Sequence, residues 1–202
     1  MTRARKTATA AKAPSRKPAK RPSATPPEPR EALLEAGLRL LAGGLPSARL
    51  TPRDVAAEAG LRTQQFNRLF PDFGDYLAGV QRRLSEQVRA DTLKVIARKV
   101  PGLDLVRQGI TAYLDAILQR PALIEISLSM RHHPACQQVT RERASSMVML
   151  ATLQLKMAGV ANAEGLGRLG MAMLFEIAQA EFEARRMLPD FRHTIDAYFL
   201  RS

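Results

Sequence analysis

The stretch Thr51–Pro71, TPRDVAAEAGLRTQQFNRLFP, decides how the rest of the 202-residue chain is read. Thr51 has a hydroxyl suited to capping a helix, Pro52 fits the first helical position because its missing N–H would be unpaired there anyway, and Asp54 favours the positive helix end. Together they predict a helix over Pro52–Ala59. Gly60 then supplies a permissive backbone for a tight turn, Leu61 plugs the corner, and Phe66 and Phe70 share one face of a third short helix that Pro71 stops. Two short helices joined by a glycine-containing turn form a helix-turn-helix.

The unit matters because its second helix can lie in the major groove of DNA. With Phe66, Leu69 and Phe70 turned inward, Thr63, Gln64, Gln65, Asn67 and Arg68 occupy the outer face and leading end. Gln and Asn can pair two hydrogen bonds with adenine and Arg can do so with guanine, each good pair contributing roughly 1–3 kcal/mol of discrimination. Thr51, Arg53 and Arg62, at the two helix starts, complete the set of candidate DNA contacts. Spacing alone leaves a helical hairpin with an ordinary solvated face as the alternative.

Upstream, Leu34, Leu38, Leu41 and Leu45 recur at three- and four-residue spacing, an amphipathic first helix ended by Gly43 and Gly44. Before it, residues 1–29 carry eight basic side chains (Arg3, Arg5, Lys6, Lys12, Arg16, Lys17, Lys20, Arg21) against the single acid Glu28. More than half of the chain's formal net charge of +12 lies there. The segment has no Leu, Ile, Val or aromatic residue to offset the entropy of ordering, so a disordered basic arm is expected. It reads either as a solubilising tail or as a tether that follows polyphosphate. No apolar core follows the positive start, so a secretory signal is not expected, although an Arg-rich, acid-poor start leaves room for an import peptide.

The segment from Arg30 to Val80 resembles the N-terminal DNA-binding domain of TetR-family transcriptional regulators. The resemblance rests on the Ala- and Leu-rich first helix, on Thr51-x-Arg53-Asp54-Val55-Ala56, on Ala59-Gly60-Leu61 and on Phe66-x-x-x-Phe70-Pro71, with Leu77 where that family begins its long connecting helix. Three departures fall on the DNA-facing side. Arg62 stands where a small hydroxyl residue usually opens the third helix, so Thr63 is expected to take over the cap. Asn67 replaces a common Tyr, and Leu69 a frequent His. Fewer backbone contacts, and an unusual sequence preference, follow from these.

Downstream, the periods are helical throughout and no alternating strand pattern occurs, so the expected fold is all-α with about nine helices. Leu77, Val80, Leu84 and Val88 make an apolar stripe on a fourth helix running toward Arg98, before Pro101-Gly102. Further helices are expected over about Asp104–Gln119, Pro121–Met130, Pro134–Met157, Ala163–Leu188 and Asp190–Leu200. This gives an arm (1–29), a helix-turn-helix domain (30–74) and a helical ligand-binding and dimerisation domain (75–202). No run of 18 apolar residues exists to span a membrane.

The helix from Ala163 carries two apolar stripes, Leu166, Gly170, Met173 and Ile177 on one side and Phe175, Ala178 and Phe182 on another, which one chain does not easily cover. The last helix adds Phe191, Ile195, Tyr198 and Phe199. Met173, Ile177, Phe191, Ile195, Tyr198 and Phe199 are therefore candidate dimer contacts, in what the TetR resemblance implies is a four-helix interface of a homodimer. The resemblance also implies a small-molecule cavity in the Met-rich middle of the chain, with Tyr113, Ile117, Glu125, Leu128, Ser129, Met147 and Leu150 as candidate lining and a largely apolar effector.

Enzymatic classes are poorly served. No HExxH, GxSxG or Gly-rich phosphate loop is present, and the three histidines are His132, His133 and His193. His132 and Cys136 lie four apart, but Pro134 interrupts a shared helix. Neither a metal site nor a cofactor is expected, and the single cysteine cannot form an internal disulfide. The expectation is a homodimeric, ligand-released repressor on a palindromic operator of double-stranded DNA, in a bacterial cytosol. The alternative is a sequence-neutral nucleic-acid binder driven by the arm.

Overall fold

The computed structural model describes residues 28–199, apart from a few side chains near the C-terminal end. Among these residues the chain forms nine α-helices and no strand. They are α1 (Pro29–Ala42), α2 (Pro52–Glu58), α3 (Thr63–Leu69), α4 (Phe73–Ile96), α5 (Leu103–Leu118), α6 (Pro121–Ser129), α7 (Pro134–Met157), α8 (Ala163–Ala184) and α9 (Pro189–Phe199). A 3-10 turn at Ser47–Arg49, between α1 and α2, has no counterpart in the sequence expectation. Residues 1–27, on which the expected arm rests, lie outside the described residues, as do the side chains of Tyr198 and Phe199.

Proline opens α1, α2, α6, α7 and α9, each time in the first turn where its missing donor costs nothing. Thr51 caps α2 by accepting from the Asp54 N–H at 3.2 Å, and Gly60 takes a left-handed φ of +69° to turn the chain into α3. α8 ends earlier than its apolar period suggests. Arg185 adopts a left-handed φ of 52°, and the Arg185 and Arg186 N–H groups donate back to the Phe182 and Glu181 carbonyls, closing the helix before Pro189 starts the next.

α4 is the spine, packing against α1, α5, α6 and α7. Its expected stripe of Leu77, Val80, Leu84 and Val88 is buried in a single core that runs from α1 to α9. Gln81 on the same helix is fully buried, and its amide donates to Ser127 of α6 at 2.9 Å and Thr140 of α7 at 3.0 Å. α1 crosses α4 closely at Gly37. Tyr76 is buried there with its hydroxyl donating to the Leu33 carbonyl at 3.0 Å, and a β-carbon at position 37 would lie 2.0 Å from that hydroxyl.

The face of α8 turned toward the core is Ala163, Gly167, Met171, Leu174, Ala178 and Glu181, a row that matches neither expected stripe. Ile177 is also covered, and so is Ile195 of α9. These two expected dimer contacts are thus buried by their own chain, which leaves little of either to offer a partner. α9 is locked on by Arg192, whose guanidinium makes a two-pronged contact with buried Glu181 at 2.6 and 2.8 Å and also pairs with Asp115 of α5. The carboxylates hold Arg192 firmly in its charged form, raising its already high pKa.

Candidate nucleic-acid interface and interior cavity

A seven-residue helix has no independent stability, so α3 depends on what grips its inner face. Phe66 is 1% exposed and Phe70 nearly as buried. Their rings meet at 5.6 Å between centroids, and Tyr76 of α4 sits edge-on to both, at 5.0 and 5.1 Å. Arg30 at the start of α1 lies over the Phe70 ring at 4.2 Å and donates to the Leu69 carbonyl at 3.2 Å, clamping the far end of α3. Aromatic packing from the middle of α3 to its C-terminal end thus holds the helix in one orientation.

The opposite face is open. Arg62, Thr63, Gln64, Gln65, Asn67 and Arg68 are all exposed, as are Thr51 and Arg53 at the head of α2. Arg53, Arg62 and Arg68 have no ion-pair partner among the described residues. Thr51 is committed to its capping role, donating to the Asp54 carboxylate at 2.6 Å as well as accepting from its N–H. The expectation that Thr63 caps α3 needs correcting. Arg62 is the cap position, and its N–H donates to the Gln65 carboxamide oxygen at 2.9 Å. Gln65, three residues inside the helix, thus supplies its own half of a capping box, while Arg62, lacking an acceptor side chain, leaves the other half unmade.

Two contacts tie this unit to the body of the chain. The Ser47 N–H in the 3-10 turn donates to the Glu125 carboxylate of α6 at 3.0 Å. Asp72 caps α4 by accepting from the Gly74 N–H at 2.7 Å, and its second oxygen meets His133, at the head of α7, at 3.2 Å. That histidine contact, with the Gly74 N–H, holds the Asp72 carboxyl below the usual carboxylate range. His133 packs so closely over Gly74 that a β-carbon there would lie 2.4 Å from the ring.

The expected ligand-binding residues divide. A cavity of about 260 Å³ between α4, α5 and α7 is lined by Tyr113, Val88, Val139, Arg143 and Met147, with Arg82, Ser85, Glu86, Arg89, Glu142 and Ser146 toward its mouth. Tyr113 and Met147 continue into an apolar recess of about 60 Å³ that also contains Leu150, Ile110 and Met171. Tyr113, Met147 and Leu150 are thus brought together. Ile117 is core and borders neither space. Glu125, Leu128 and Ser129 are not brought to these two spaces: α6 turns Glu125 toward Ser47, where it borders a separate hollow with Leu41, Pro46 and Arg185, leaves Leu128 exposed, and places Ser129 at the helix end with its hydroxyl on the Ile126 carbonyl. Arg143 was not anticipated, because a charged residue on a helix of weak apolar period reads as surface.

Arg143 is 8% exposed, and neither its Nε nor its Nη1 has a hydrogen-bond partner in the chain. Its guanidinium stacks over Phe175 of α8 at 4.9 Å. The Tyr113 hydroxyl, also at the cavity, is buried without a partner. Burial lowers the arginine's pKa and raises the tyrosine's, each toward its neutral form. Cys136 is buried and touches the Gly74 carbonyl, whereas His132 is exposed beside Arg131, so the two share no site.

Of the remaining expected dimer contacts, Met173 is half-buried and Phe191 is 48% exposed. The larger apolar exposure lies elsewhere, on Met149, Leu153 and Met157 along the outside of α7 and on Leu169 of α8. The groove between those helices is bounded by Val148, Met149, Leu153 and Arg168. This Met-and-Leu row recurs at i, i+4, i+8 in the sequence.

No family model matches the sequence, and no curated protein shows significant similarity to it. Solved structures do match. The multidrug binding protein EbrR complexed with imidazole superposes with a TM-score of 0.68 at 20% identity, over 85% of this chain and 94% of that one. A transcriptional regulator from Rhodococcus sp. RHA1 gives 0.67 at 18% identity, over 83% and 92%. A TetR transcriptional regulator from the same organism gives 0.58 at 21% identity, over 84% and 92%. EbrR has also been solved with ethidium. The chain has the fold of these proteins.

Proposed function

We propose that the chain is a homodimeric DNA-binding transcriptional regulator, a repressor released from a palindromic operator when a small molecule occupies the interior cavity. The observation that carries this is the geometry of α3. Aromatic packing fixes it from behind while Gln64, Gln65, Asn67 and Arg68 project outward, with Arg53 and Arg62 also exposed beside them. A merely solvated hairpin does not require such a rigid mount for amide side chains. The likeness in fold to transcriptional regulators supports the same conclusion. No catalytic step is assigned, and a cytosolic location follows from the DNA target.

Dimerisation is supported by the apolar side chains exposed on α7 and α8: Met149 is 71% and Leu169 63% exposed, apolar area that a second copy would cover. On α9, Phe191 is a further exposed apolar side chain, at 48%. Two copies present two α3 helices, which is how such proteins read inverted half-sites. The cavity couples to DNA only if ligand binds one spacing of these helices better than the other. Glu125 and His133 are suited to carry that difference, since each joins the body to the helix-turn-helix.

The test is selection of duplexes from a random pool by the full chain, followed by footprinting and a salt series. An inverted repeat bound about 10³-fold more tightly than random duplex at physiological salt is expected. Gln64→Ala should relax the base preference at one position of each half-site, whereas Arg53→Ala should weaken all sequences alike. A chain starting at Pro29 should show a shallower salt dependence, by a slope of roughly 0.9 per phosphate lost. Equal affinity for every duplex would instead favour the sequence-neutral binder.

A further inference from the structure

The cavity walls specify more than apolarity. A guanidinium removed from water with two of its donor atoms unpaired is an unfavourable arrangement unless something else supplies the counter-charge. The acids near it do not. Glu142 is taken by Arg82 and by Gln138 at 3.0 Å, and Glu86 is paired with Arg83 at 3.3 Å. Arg89, at the mouth, has no ion-pair partner among the described residues, so the uncompensated charge of the space is positive. The Tyr113 hydroxyl adds a second unused donor. Beyond Tyr113 and Met147 the recess is walled mainly by hydrocarbon, Ile96, Leu105, Val106, Ile110, Leu150 and Leu174, with Thr92 and Gln154 as its polar residues.

From this we infer that the effector is a small aliphatic carboxylate, such as a medium-chain fatty acid, bound with its carboxylate on Arg143 and Tyr113 and its chain in the recess between α5, α7 and α8. Arg143 contributes the charge-assisted, two-pronged geometry that matches a carboxylate, and its stacking on Phe175 fixes the plane of the guanidinium before the ligand arrives. Tyr113 sits at the joint of the two spaces and so selects ligands whose polar end is terminal. The assignment rests on the sensor half of the function proposed above, but its test needs no DNA.

Octanoate, octanol, octylamine, ethidium and acetate are titrated into the full chain by calorimetry near neutral pH, with DNA binding followed separately. Octanoate should bind at least about tenfold more tightly than octanol, the ratio expected of a charge-assisted hydrogen bond to a buried guanidinium. Arg143→Met should abolish that preference while leaving octanol affinity intact. Its ligand-free thermal midpoint should lie at or above that of the parent, because an uncompensated charge is removed. Tyr113→Phe should weaken octanoate by a smaller factor than Arg143→Met does. Equal binding of octanoate and octanol overturns the assignment, as does tighter binding of octylamine or ethidium, or acetate matching octanoate. Should Arg143→Met unfold, the same comparison in Arg143→Lys and Tyr113→Phe decides. Octanoate binding through Arg143 in a protein indifferent to DNA sequence would leave this site standing and remove the regulator. Specific DNA binding without octanoate binding would do the reverse.

Discussion

Gly37→Ala tests the packing that positions the helix-turn-helix against the rest of the chain. Alanine is the better helix former by about 1 kcal/mol, so at an exposed helical site the change would stabilise. Here the added carbon would lie 2.0 Å from the Tyr76 hydroxyl and 3.1 Å from Cζ, both part of a rigid buried ring. The ring must move or α1 must lift off α4. Overpacking of this kind costs about 1–3 kcal/mol. A displaced phenol also loses its hydrogen bond to Leu33, about 1 kcal/mol, and disturbs its edge contacts with Phe66 and Phe70, roughly 0.5–1.5 kcal/mol each. Set against the gain in propensity, the net loss should be roughly 2–6 kcal/mol, a fall in melting temperature of roughly 4–24 °C for a chain of this size. In a Tyr76→Phe background the nearest atom becomes the one at 3.1 Å, which small adjustments relieve, and the same substitution should be close to neutral. Urea unfolding of the four proteins at one fixed concentration, followed by circular dichroism, gives the cycle. An equal cost of Gly37→Ala in both backgrounds, or stabilisation of the parent, would refute the contact as the cause.

Two further outcomes follow from buried groups. Glu181→Gln should cost roughly 3–5 kcal/mol in the same assay by leaving the Arg192 guanidinium without its main partner, whereas Glu181→Leu with Arg192→Met should recover most of it; a small loss in the single variant would mean the pair is solvated in solution. Cys136 is buried with the Asp75 and Asp72 charges nearby, which together push its thiol up to about 11 from an ordinary value of 9.0. A pKa raised on folding gives stability that is fully present below pH 9 and declines as pH rises from 9 toward 11, a decline that Cys136→Ala should remove. Native protein should also resist thiol reagents at pH 8, and prompt labelling there would contradict the burial.

Most of the helices were legible because each is punctuated by residues with one dominant role: Pro at first turns, Thr51 as a cap, and Gly60 at the tight turn. The outward set on α3 was legible for the same reason, since Phe66 and Phe70 leave only one way for the helix to sit. The 3-10 turn at Ser47–Arg49 was not, because three residues carry no period and its stability comes from Glu125, 78 positions away. α8 misled because its core face contains Gly167 and Glu181: the first is small to admit Thr152 of α7, and the second is a charge whose partner is on another helix. Arg143 was hidden by the same logic. A hydropathy pattern treats charge as exposure, and only the packed arrangement shows a cation with nothing to answer it.

The ring cluster has a practical corollary for anyone wishing to exchange reading heads between proteins of this shape. Phe66 and Phe70 belong to the head by chain order, yet the tyrosine that seats them opens the spine, and the carboxylate and imidazole that steady the head are contributed from positions 125 and 133. A cassette cut near residue 74 would sever all three attachments at once. A transplant that keeps its grip must import the first turn of α4 together with matched partners for Ser47 and Asp72, so the transferable module is a patchwork in sequence although it is one block in space.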